Sequence, residues 1–127
     1  MNENELSEKV IGFAIKVHST LGPGLLESAY EKAFSYELRQ GGFEVVSQKL
    51  IPIEYEGITI DEGFRADIIV NDLVILELKS VKRIEDIHLK QLLTYLRLTD
   101  KKLGLLINFN EKLLRNGIKR VINGTLS

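Results

Sequence analysis

At 127 residues, with 44% hydrophobic and 28% charged side chains, the chain is long enough to bury a core without staples and has the composition of an ordinary globular protein, most naturally a single domain over 1–127. It has no cysteine, which excludes disulfides and thiolate metal sites and suits a reducing cytoplasm, the expected compartment; its polar, acidic start and the lack of any ~20-residue apolar run argue against a signal peptide and a membrane span. The net charge of -1 hides an asymmetry: residues 1–78 carry 6 Lys and Arg against 14 Asp and Glu, net -8, whereas residues 79–127 carry 11 against 4, net +7.

In chain order, Val10, Phe13, Ala14, Val17 and Leu21 fall at helical spacing and predict an amphipathic helix over residues 6 to about 20. Gly22, Pro23 and Gly24 punctuate it, and a second helix is expected from about Leu25 to Gln40, stopping at Gly41-Gly42. The Gly24 corner would let that helix approach the sheet closely. From Phe43 the period changes to strands rich in β-branched residues, FEVVSQKLIPIEYEG and ITIDEGFRADIIV, with Asn71-Asp72 as a hairpin signal before VILELKS. Residues 84–99 return to helical spacing, LGLLINF reads as a buried strand, and the tail KLLRNGIKRVIN as a short loop or helix with an edge strand. The expected fold is α/β, a mixed β-sheet flanked by helices in the order α-α-β-β-β-α-β.

The stretch VILELKS places two charges in what is otherwise the middle of a buried strand. Alternation sends Ile75, Glu77 and Lys79 to one face and Val74, Leu76 and Leu78 to the other, so both faces are largely apolar and an unpaired charge there is costly. An ion pair between Glu77 and Lys79 at a wet strand end would be one solution. A second comes from FRADIIV, where Arg65, Asp67 and Ile69 would share a face. If the hairpin pairs residues whose numbers sum to 144, Asp67 sits opposite Glu77 on the same face; a two-residue turn would separate them. Facing carboxylates repel unless one is protonated or a cation lies between them. Magnesium suits such a place: it takes one or two carboxylates, keeps several waters and accepts phosphate oxygens. Lys79 would then stand beside the site.

Asp67 followed by Glu77-Leu78-Lys79 resembles the D…ExK signature of the PD-(D/E)xK nuclease superfamily, with Ala66 where the superfamily's name has proline. GLLESAY, residues 24–30, resembles the motif that names the GxxExxY family within it, through Gly24, Glu27 and Tyr30, and the likeness continues through QLLTY and GLLINF to GIKR. The resemblance implies a restriction-endonuclease-like core and magnesium-dependent phosphodiester hydrolysis, with manganese as a substitute, on DNA or alternatively RNA. It implies that Asp67, Glu77 and the Leu78 carbonyl hold the metal, that Glu27 helps ligate it, and that Lys79 orients the nucleophile or stabilises charge. QLLTY resembles the QxxxY motif of the superfamily's exonuclease branch, which implies that Gln91 and Tyr95 flank the metal and hold the nucleic acid.

Several of these residues also have plainer explanations. Glu27 could be a helix-start carboxylate favoured by the macrodipole. His18 is a core histidine more naturally than a ligand. Tyr30, Arg65 and His88 are secondary candidates: Arg65 could hold a phosphate or pair with a carboxylate, and His88 could share a helical stripe with Gln91 and Tyr95. So short a chain has little beyond a catalytic core, so a homodimer or a partner protein would supply the rest of a substrate groove. The alternative function is a silent nucleic-acid-binding or protein-interaction module that keeps the fold.

Overall fold

In a computed structural model, which describes residues 1–126, the chain folds as α1 (Glu3–Leu21), α2 (Glu27–Gln40), β1 (Val45–Tyr55), β2 (Ile58–Val70), β3 (Val74–Lys79), α3 (Asp86–Thr99), β4 (Leu103–Asn108), a 3-10 turn (Leu114–Gly117) and β5 (Ile118–Ile122). The expected order holds, with β5 added by the tail. Asn2 caps α1 by accepting from the Glu5 backbone N–H while the Glu5 side chain accepts from the Asn2 backbone N–H, a reciprocal cap that fixes the helix start. The second helix begins two residues later than its spacing suggests. Gly24 has φ +99 and a Cβ there would meet nothing within 4 Å, so the corner needs its left-handed backbone rather than a close approach to the sheet.

The five strands are ordered β1-β2-β3-β4-β5. β3 lies at the centre, antiparallel to β2 and parallel to β4, and α3 supplies the crossover that a parallel pair requires. Burial on both faces explains the near-continuous apolar runs of β3 and β4. On one face α1 and α2 bring Leu6, Val10, Tyr30 and Phe34 against Leu76, Leu78 and Leu105; on the other α3 brings Leu92 and Leu96 against Ile69, Ile75 and Leu106. Close packing of α3 depends on Gly104 of β4, where an added Cβ would fall 2.8 Å from the Leu92 side chain. Among the described residues no helix is long and apolar enough to cross a membrane.

The β2–β3 register decides the geometry of the charges. Pairs Ile68–Leu76, Ile69–Ile75 and Val70–Val74 have numbers summing to 144, joined through Asn71, Asp72 and Leu73, with Asn71 and Asp72 both left-handed and the Leu73 N–H donating to the Val70 carbonyl. One expectation fails. Ile69, Ala66 and Phe64 all pack on the α3 side, which strict alternation forbids, so the strand slips by one between Ala66 and Ile69 and Arg65 does not share the Ile69 face. Arg65 is exposed and donates to the Gln48 carbonyl instead.

Candidate active site

Asp67 stands where that alternation slips. The ladder with β3 ends at Ile68–Leu76, and in place of a further rung the Asp67 carboxylate accepts from the Leu78 backbone N–H at 2.8 Å. A side chain therefore does the work of a backbone rung, and it holds Asp67 against the Glu77-Leu78-Lys79 end of β3. On its other side β1 is also irregular. Pairing resumes at Ser47–Ile68 and Lys49–Ala66, leaving Gln48 out with φ +52, and the Gln48 amide reaches both Asp67, at 3.3 Å, and Glu31 of α2. A left-handed glutamine in a strand costs about 1–3 kcal/mol, and such strain gathers where a side chain must be aimed.

Glu77 is 7% exposed, and its Oε1 is buried with no hydrogen-bond partner. An orphaned buried carboxylate oxygen costs more than an orphaned neutral group, for which about 1–3 kcal/mol is usual. The carboxyl is pushed up to about 9, first by burial, then by the charge of Asp67 and by hydrogen bonding to it, with Lys79 pulling the other way. These facts agree physically: between two ionised carboxylates no donor exists, and a proton on Glu77 supplies one. Lys79 is half-buried and, among the described residues, makes no ion pair, so the simple Glu77–Lys79 pairing is not how this strand carries its charges.

Tyr95 closes the site from α3. Its ring stacks on Phe64, centroids 3.7 Å apart, and its hydroxyl is shifted up by burial, then by the charges of Glu77 and Asp67. Gln91, one turn earlier, is exposed. His88 is not drawn in: its Nδ1 accepts from the Glu85 backbone N–H and is spent on the start of α3. From α2, Glu27 is exposed and accepts from the Ser80 N–H at 3.3 Å, while the Ser80 hydroxyl donates to the Leu25 carbonyl, tying the helix start to the residue after Lys79. A groove of about 380 Å³ lined by Leu25, Leu26, Glu27, Ser28 and Ser80 runs beside this junction. A groove lined by Phe13, Gly41 and Phe43 lies away from the carboxylates. That is no objection for a polymeric substrate, which needs an open face.

Spacing over the whole chain and this geometry point one way. A family model described as the PD-(D/E)XK nuclease superfamily matches residues 4–121. The chain belongs to that superfamily. No curated protein and no solved structure matched it.

In this PD-(D/E)XK protein, Asp67 and Glu77 sit on two strands that part at the site, with Ala66 packed in the core. Tyr30 is fully buried, stacks on Phe109 at 4.5 Å, and pins the corner before α2 by donating to the Gly22 carbonyl and accepting from the Leu25 N–H. His18 is buried, its Nε2 2.7 Å from the Glu111 carbonyl, as a core histidine would be. Both lie apart from the carboxylate pair in their bonding. Sequence reasoning missed Gln48 and Glu31, the latter shifted up by burial first, and then by Asp67 and Glu27 against the opposing Gln48 bond. It also missed Asn108, fully buried beside Lys79, whose amide holds both the N–H and the carbonyl of Val81 and so fixes the chain leaving the site.

The donor set fits a hard divalent cation. Among the described residues no three His, Cys, Asp or Glu side chains gather closely enough to make a protein-only cage. Magnesium does not ask for one, since two carboxylates, waters and substrate phosphate suffice, and the orphaned, buried oxygen of a Glu77 carboxyl that feels the charge of Asp67 is the feature a cation would satisfy.

Proposed function

We propose that the chain is a magnesium-dependent nuclease that hydrolyses phosphodiester bonds in DNA, with RNA as the alternative polymer and manganese as a working substitute. The observation that carries this reading is the buried, partnerless Glu77 oxygen beside Asp67, on a protein of this superfamily. Asp67, Glu77 and the Leu78 carbonyl would hold the ion, with Glu27 contributing through water. Bound there, it would lower the pKa of a water and offset charge on the reacting phosphate. Lys79, on the face of Glu77, would stabilise charge that develops at the phosphorus oxygens or orient the attacking water. Tyr95, held flat against Phe64, and the exposed Gln91 would position the scissile phosphate. Gln48 would keep Asp67 aimed.

The motif through Gly24, Glu27 and Tyr30 supports a place in the GxxExxY family; here the glycine makes the corner, the tyrosine pins it, and the glutamate faces the end of β3. The absence of cysteine supports a cytoplasmic location. A mixed panel of single- and double-stranded DNA and RNA, incubated with magnesium or manganese, tests the reading. Cleavage by the wild type and a loss of about a hundredfold or more in both Asp67→Ala and Lys79→Ala are expected. Equal cleavage by all three proteins, or none by any at high enzyme, would refute it and favour the silent module.

A further inference from the structure

The charge asymmetry of the sequence is not neutralised inside the molecule. Among the described residues three ion pairs form, and only Lys101–Asp72 joins the acidic part of the chain to the basic part. Two surfaces carry the remainder. One is the end of the β1–β2 hairpin: from residue 50 to 64 it has Glu54, Glu56, Asp61 and Glu62 and no Lys or Arg. Residues 54–62 are exposed except for half-buried Ile60, and the paired Tyr55 and Ile58 are each 59% exposed at the tip. A two-stranded ribbon with bare apolar side chains is marginal on its own in water. The other surface is a groove of about 480 Å³ at the far edge of the sheet, lined by Ile11, Leu89 and Ile118 with Arg115, Lys119 and Arg120. Its charged lining is entirely basic, and Arg120 is already engaged by Ser7 and Asn4.

The two surfaces match in character, an apolar pair rimmed by acids and an apolar floor rimmed by bases. They sit on opposite edge strands, β1 and β5, four strand spacings or roughly 19 Å apart, so one chain cannot close its own pair. A nucleic acid in the groove would use the cations and leave the three apolar residues of the floor uncovered. We propose that the occupant is a second copy of this chain: the acidic hairpin tip of each protomer seats in the basic groove beside β5 of the other. Tyr55 and Ile58 cover Ile11, Leu89 and Ile118, while Glu54 and Glu56 face Arg115 and Lys119. Two such contacts related by a two-fold axis close a dimer and leave no open end.

Sedimentation velocity of the full chain over a range of concentration and salt tests this independently of any nuclease activity. The wild type is expected to dimerise, less tightly as salt rises. Glu54→Lys with Glu56→Lys, and separately Arg115→Glu with Lys119→Glu, should each weaken the dimer by about tenfold or more, with unchanged circular dichroism. Mixing the two variants should restore a dimer, because each reversed tip then meets a reversed groove and each native tip a native groove. A monomeric wild type, a dimer indifferent to both reversals, or a mixture that fails to associate would overturn the proposal. So would a groove variant that loses binding to an oligonucleotide while its sedimentation stays that of the wild type.

Discussion

Glu77 sets the pH behaviour of the metal-free protein. In the unfolded chain its carboxyl loses its proton near the ordinary value of 4.5, whereas in the fold it keeps the proton up to about 9. Between those values the folded state binds more protons than the unfolded one, so stability falls as pH rises through that window; below it both forms are protonated, above it neither is, and the dependence vanishes. Denaturant unfolding in the presence of a chelator should show this decline, and Glu77→Gln, which keeps the shape and never ionises, should flatten it. Gln48 offers a second test at the same scale. Gln48→Gly relieves a left-handed backbone and should hold stability within about 1 kcal/mol, yet lower cleavage by about tenfold to a hundredfold by letting Asp67 swing. Stability unchanged together with cleavage unchanged would remove Gln48 from the site. Neither Gln48 nor Glu31 was legible in the sequence. A polar residue on a strand, such as Gln48, or on a helix, such as Glu31, looks like any solvent-facing position until the element opposite it is known, and the slip at Asp67 breaks the alternation from which strand faces are read.

Among the elements, α3 is held where it is by Gly104, and it carries Tyr95 and Gln91. Gly104→Ala would press a methyl into the buried Leu92 side chain and should cost about 1–3 kcal/mol, with cleavage falling further than stability because the helix and Tyr95 must move outward together. Unfolding midpoints and cleavage rates of the variant measure both. The helices were legible because burial of one stripe enforces a 3.6-residue period, as Val10, Ala14 and Val17 of α1 and Leu92 and Leu96 of α3 show. The hairpin register was legible because Asp67 and Glu77 make sense together only at one loop length. The tail was legible only in outline, as a short loop or helix with an edge strand: β5 has just five residues and alternates weakly, and its partner and bounds come from pairing with β4, which no local pattern announces. Gly24 and Tyr30 were visible as a motif, but their job, a glycine turn pinned by a hydroxyl, needed the three-dimensional corner.

For the whole molecule, the central idea is that the fold keeps an incompatible carboxylate pair ready for a cation. Magnesium should therefore raise the unfolding midpoint of the wild type by mass action, by about 2.7 kcal/mol in stability at a hundredfold excess over its dissociation constant, and more at alkaline than at acid pH because the Glu77 proton must leave. The same linkage gives the most direct measurement: calorimetric titration of manganese or magnesium into the metal-free protein near neutral pH, in two buffers of different ionisation enthalpy. Binding that releases about one proton per ion, and is lost in Asp67→Ala, is expected, with the released proton absent from any residual binding by Glu77→Gln. Wild-type binding without proton release, matched by both variants, would contradict the account.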